Sequence, residues 1–151
     1  MATSQGQAAT RVFLAGMHVV LTQENEELVR IPVPEIKLIG EYTTSAGPFV
    51  DDWFIVFMTS EKNWKQISEY TPGMLEMLQE LSSHLKAETI GSLAASTSWR
   101  TNIIWPQRVA GQEMWNVVSE RPITLLEKLK KSMGFADQQL VLTEAAASVF
   151  R

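Results

Sequence analysis

The run Trp53-Phe54-Ile55-Val56-Phe57-Met58 is the strongest constraint in this chain. Gly47-Pro48 and Asp51-Asp52 precede it, and the polar stretch Glu61-Lys62-Asn63 follows. A strand with one wet face alternates apolar and polar residues. Six consecutive apolar residues, rich in aromatic and β-branched types, instead describe a strand buried on both faces. That strand marks the centre of the core.

The remaining composition suits one globular domain. At 151 residues the chain has the length of a single domain, and a chain of about this size buries roughly two-thirds of its unfolded surface without a covalent staple. The five Trp and six Phe supply large core units. The absence of Cys removes disulfides, thiolate nucleophiles and cysteine metal ligands from consideration. A net charge of −4 disfavours nucleic acid as a partner, because neutralising phosphates takes clustered Lys and Arg. No stretch approaches the roughly 18 apolar residues of a spanning helix, so stable membrane insertion is not expected. Residues 1–10 carry no charge cluster and read as a disordered leader. The expected compartment is the cytoplasm.

Several antiparallel strands are expected first. Val12–Thr22 reads as a strand with a bulge or bend at Gly16, and Gln23-Glu24-Asn25-Glu26 turns it into a short strand at Glu27–Ile31. Pro32 and Pro34 bracket Val33 and mark an edge or a crossover, since proline lacks the amide donor. Glu35–Thr44 alternates: Ile36, Leu38, Gly40 and Tyr42 point one way, Lys37, Ile39 and Glu41 the other. After the Asp52–Thr59 strand and a tight turn, Trp64–Tyr70 returns as another. The period then changes to that of a helix over Thr71–Lys86, with Pro72 at its first position and an apolar face of Met74, Met77, Leu78, Leu81 and Leu85. Thr89–Ala95 suggests a short helix, Arg100–Trp105 a strand ended by Pro106, and Met114–Val118 another strand. Pro122–Met133 reads as a helix stopped at Gly134, and Ala136–Arg151 as a final helix or a loosely held tail.

In the block Ile36–Trp105 the chain resembles a group of uncharacterised bacterial proteins. The resemblance rests on Thr43, Thr44, Gly47, Pro48, Phe49, Asp52 and Phe54, then Ile67, Leu75, Leu78, Leu81, Asn102 and Trp105. It covers under half of the chain and brings no catalytic residue with it. The order of strands followed by a helix is also similar to bacterial pleckstrin-homology-like domains. That likeness implies a bent antiparallel sheet closed by one helix, and a small-molecule or lipid-headgroup ligand. The chain continues well past its first helix, where a minimal version of that fold would end.

Asp51 and Asp52 are the first candidates for chemistry, as ligand groups or as caps of the Gly47-Pro48 loop. Successive strand residues point to opposite faces, so the two carboxylates converge only if the backbone turns there. Loop capping is the plainer reading. His18 and His84 are the only histidines, and a zinc site needs three or four ligands. Their separation gives no reason to expect convergence. The Ser96-Thr97-Ser98 segment carries no nucleophile elbow, and phosphate-binding glycine loops are missing from the chain. Trp99, Arg100, Trp105, Arg108 and Trp115 interleave aromatics with Arg, the residue types enriched at binding hot spots. A core position for Trp105 and Trp115 is the competing reading. Leu125–Met133 with Lys128, Lys130 and Lys131 reads as a helix packed on the sheet rather than as a membrane-surface element.

The expectation is therefore an α+β domain over residues 11–134, a bent, pleckstrin-homology-like antiparallel sheet covered by one amphipathic helix. Residues 135–151 form a C-terminal helical extension. The expected role is a non-catalytic protein-interaction module with no cofactor and no metal. Trp99, Arg100, Arg108 and Trp115, or the sheet edge near Pro32-Val33-Pro34, would meet the partner, and homodimerisation would use the C-terminal helices. The alternatives are a small-molecule or headgroup module, favoured by clustering of Lys37, Lys62 and Lys65, and an enzyme using Asp51, Asp52 or His18.

Overall fold

A computed structural model describes residues 10–44, 53–89, 100–118 and 139–151. The architecture is mixed sheet and helix, with antiparallel pairing throughout the described strands. The strands fall into three sheets rather than the one bent sheet expected.

The first sheet is a meander of β1 (Thr10–Ala15), β2 (His18–Gln23) and β3 (Glu26–Pro32). Val12–Thr22 is thus not one bent strand. Ala15 pairs with His18 across a two-residue turn, and Gly16 sits at φ +61 in its first position, the place where a type II′ hairpin wants glycine. The second turn, Glu24-Asn25, has both residues at positive φ, as type I′ requires. In β3 the register slips at Leu28, which stands as an extra residue between Glu27 and Val29.

The second sheet runs in the order β6 (Trp64–Ser68), β5 (Trp53–Met58), β4 (Leu38–Thr43), β7 (Arg100–Trp105). It is the middle layer, buried on both faces. Ile55 and Phe57 enter one core with Ile39, Ile67 and Ile104, while Val56 and Met58 enter another with Leu38, Tyr42 and Ile103. The apolar run of β5 and the alternation of Leu38 to Tyr42 have the same cause: each face of the sheet has its own core.

The first core is closed by Val12, Val19 and Ile31 of the meander and by α1 (Met74–Leu85), which contributes Met74, Met77, Leu78 and Leu81. This helix begins later than Thr71. Pro72 and Gly73 are used to dock the chain on β1: the Val12 amide donates to the Pro72 carbonyl at 3.0 Å. Gly73 lies at φ +91, so close to β1 that an added Cβ would sit 2.3 Å from the Val12 oxygen. Thr89 then closes the far end, its hydroxyl donating to the Leu78 carbonyl at 2.7 Å.

The second core is closed by β8 (Trp115–Val118), β9 (Gln139–Leu142) and α2 (Glu144–Ser148). Residues 139–142 are therefore a strand, not part of a final helix, and among the described residues of this segment the helix covers 144–148. Thr143 caps α2, accepting from the Ala146 amide at 3.2 Å, and Ala146 is fully buried. The C-terminal segment belongs to the core. The Thr89–Ala95 helix past Thr89, the Pro122–Met133 helix and the 1–10 leader up to Ala9 lie outside the described residues.

Candidate functional site

Neighbouring strands in the middle sheet place residues in rows. Thr43 pairs with Trp53 on one side and with Arg100 on the other, and the Glu69 amide donates to the Trp53 carbonyl at 2.9 Å. Directly opposed residues share a face. Trp53, Thr43 and Arg100 thus form a row across three strands at one end of the sheet, on the face of the first core, and Glu69, one residue past β6, extends it. The next row inward holds Ile67, Ile55, Glu41 and Asn102.

Glu41 is the chemical centre of this end. It is wholly buried, and a carboxyl group in such a place needs donors. Trp53 Nε1 donates to one oxygen at 2.9 Å and Asn102 Nδ2 to the other at 2.8 Å. Trp53 lies diagonally across from Glu41 and Asn102 lies opposite it, so the sheet register itself delivers both donors.

Glu69 belongs to the same end, one residue past β6. It is half-buried, and its Oε2 is sealed from solvent without a hydrogen-bond partner among the described residues. Burial, with a smaller contribution from the Glu41 carboxylate, pushes the Glu69 carboxyl up to about 7. Next in the chain, Tyr70 is 53% exposed, and its ring meets that of Trp53 edge-on, with centroids 6.3 Å apart. The outer part of this end therefore offers an exposed Tyr, a half-buried Trp and an exposed Arg.

The residues singled out in the sequence separate. Arg100 is exposed in the row just described. Trp115 is not a surface residue. At 5% exposure it packs in the second core, against Trp64 at 4.9 Å and Tyr42 at 5.7 Å between ring centroids. Arg108 is exposed but tied to the C-terminal helix, donating to the Ser148 hydroxyl at 3.2 Å and carbonyl at 3.3 Å. Trp105 packs against the first core. Asp51, Asp52 and Trp99 lie outside the described residues. His18 sits at the first hairpin and His84 in the last turn of α1, and among the described residues no cluster of three or more His, Asp or Glu could hold a metal ion.

Two other surfaces matter. The β3 edge carries a Glu27–Arg30 ion pair at 2.8 Å, the slip at Leu28 and Pro32. Charges, irregular register and proline are all devices that discourage a further strand from pairing. The second surface is an open groove of about 500 Å³ lined by Lys37, Thr59, Ser60, Glu61, Phe150 and Arg151 among others. Lys62 and Lys65 do not line it.

Among the described residues no helix is long and apolar enough to cross a membrane. No family model, no curated protein and no solved structure matches the chain.

Proposed function

We propose that this chain is a non-catalytic protein-interaction module that receives its partner on the Tyr70–Trp53–Arg100 end of the middle sheet. The observation that carries this reading is the half-exposed Tyr70 set against Trp53, with Arg100 at the other end of the same row. Tyr, Trp and Arg dominate binding hot spots, because they combine large rigid area with a polar handle. Three strand spacings, about 14 Å, separate Glu69 from Arg100, which fits within one standard interface. Glu41, behind this surface, does not support catalysis, because it is fully buried and both its oxygens accept hydrogen bonds.

The test is quantitative capture of a partner from native extract on the full chain, with Tyr70→Ala and Arg100→Ala beside it. The expected outcome is a partner whose affinity falls about 30-fold, some 2 kcal/mol, with Tyr70→Ala. It is unchanged with Leu28→Ala on the β3 edge. Equal capture by all variants contradicts the reading.

A second reading, the headgroup or small-molecule module implied by the pleckstrin-homology-like resemblance, is favoured by the groove. Lys37 and Arg151 line it together with Thr59, Ser60 and Phe150, a lining suited to an anion with an apolar part. Glu61 and the Arg151–Glu144 ion pair weigh against it. Titration with inorganic phosphate, followed by amide chemical shifts, should move Lys37 and Ser60 and fail with Lys37→Glu. Shifts absent at millimolar phosphate would remove this reading.

A further inference from the structure

Glu69 combines three features that a surface glutamate does not. One oxygen is sealed from solvent without a partner among the described residues. The fully buried Glu41 lies two strands away, its oxygens already engaged by Trp53 and Asn102. And Glu69 occupies the junction where β6 ends and the chain turns towards α1: its amide is bonded to Trp53, the Tyr70 amide donates to the Ser68 hydroxyl at 3.2 Å, and the Tyr70 ring rests on Trp53.

We infer that Glu69 is a proton-linked latch. Protonated, its carboxyl stays tucked beside Glu41 and holds the β6–α1 junction against Trp53; ionised, it releases one proton to solvent and turns out to water, loosening that junction.

The physical reason is that the sealed Oε2 of the ionised form has no donor among the described residues. An unpaired buried carboxylate is disfavoured by desolvation, and a neighbouring carboxylate disfavours it further. Among the described residues no cation compensates. On β7, Arg100 is exposed and about three strand spacings away. Lys65, on β6 itself, is exposed two rows further along. On β1, Arg11 is exposed and stands over the Phe13 ring. On α1 the charged residues Glu76, Glu80 and His84 are exposed, because Met74, Met77, Leu78 and Leu81 occupy the buried face. Described residues of β5 add only Trp53 near the group, and β4 adds Glu41.

The sign follows from the direction of the shift. The folded-state value, about 7, lies above the ordinary 4.5. The folded chain therefore holds the proton more tightly than the unfolded chain, and stability falls as pH rises from about 4.5 through about 7. Above that range Glu69 contributes no further slope. This inference stands whether or not the Tyr70 surface receives a partner.

Two measurements on the full chain test it. The first is the side-chain carboxyl carbon of Glu69 followed by NMR from pH 4.5 to 8.5, together with the Trp53 indole N–H resonance. Both should titrate together with a midpoint near 7. A Glu69 midpoint near 4.5 overturns the inference. So does a midpoint near 7 that leaves Trp53 unmoved, because a latch must move its neighbour. The second is thermal melting of wild type and Glu69→Gln over the same range. The wild-type melting temperature, taken relative to the variant at each pH, should fall by about 5 °C between the ends. Parallel curves overturn it, and a constant offset in the variant does not disturb this reading of the slope.

Discussion

At the scale of single residues, the account turns on Glu41. Its place was partly legible in the sequence. The alternation over Leu38–Tyr42 puts Glu41 on the same side as Ile39, and a carboxylate sharing a face with isoleucine in a strand beside the core is a candidate buried acid. The sequence did not reveal its donors, because Trp53 and Asn102 come to it only through strand pairing over 12 and 61 residues. Glu41→Gln keeps the shape but offers an amide where two N–H donors converge, so one donor loses its acceptor. We expect a loss of about 2 kcal/mol in chemical denaturation, and a lower titration midpoint for Glu69 as the Glu41 charge is removed. A change below a few tenths of a kcal/mol would mean that the two hydrogen bonds contribute little. Trp115 teaches the complementary lesson. Trp and Arg spacing in sequence cannot tell a hot spot from a core, and here it is the aromatic cluster with Tyr42 and Trp64 that claims Trp115. Burial also pushes the Tyr42 hydroxyl up to about 12, and that hydroxyl donates a hydrogen bond to Gln66 at 2.6 Å.

At the scale of elements, strands read as strongly patterned segments were placed well, and their ends were decided by contacts made elsewhere. The expected strand ending at Pro106 is β7, and the apolar face expected for the helix is the face that α1 buries. The helix starts at Met74 rather than Thr71 because Pro72 and Gly73 serve the docking on β1, a contact across about 60 residues that no local pattern announces. Gly73→Ala tests that docking. It forces a side chain onto a backbone at φ +91 and onto the Val12 oxygen. The expected loss is on the order of 3 kcal/mol in denaturant unfolding. A neutral substitution would mean that α1 is not anchored to β1 through this segment. Residues 139–142 escaped as a strand for a similar reason. Four residues of Gln-Leu-Val-Leu beside an alanine-rich stretch give no decisive period. Their partner β8 lies more than 20 residues earlier in the chain, at Trp115–Val118.

At the scale of the whole molecule, the middle sheet carries one core on each face, and its strands emerge at an end where acid, aromatic and Arg side chains lie in successive rows. The six-residue apolar run of β5 indicated burial on both faces. It could not indicate that two further sheets supply the covering layers, since their pairing is set by hairpin geometry and by residues distant in sequence. The central claim is that the Tyr70 end, and not the β3 edge, is the surface a partner uses. The most direct measurement places a photo-crosslinking phenylalanine at position 70 and, in a second protein, at position 28, both in the full chain in its native cell. The account predicts one saturable adduct at position 70, competed away by unlabelled chain, and none at position 28. Saturable crosslinking at position 28 alone would contradict it and move the interface to the β3 edge.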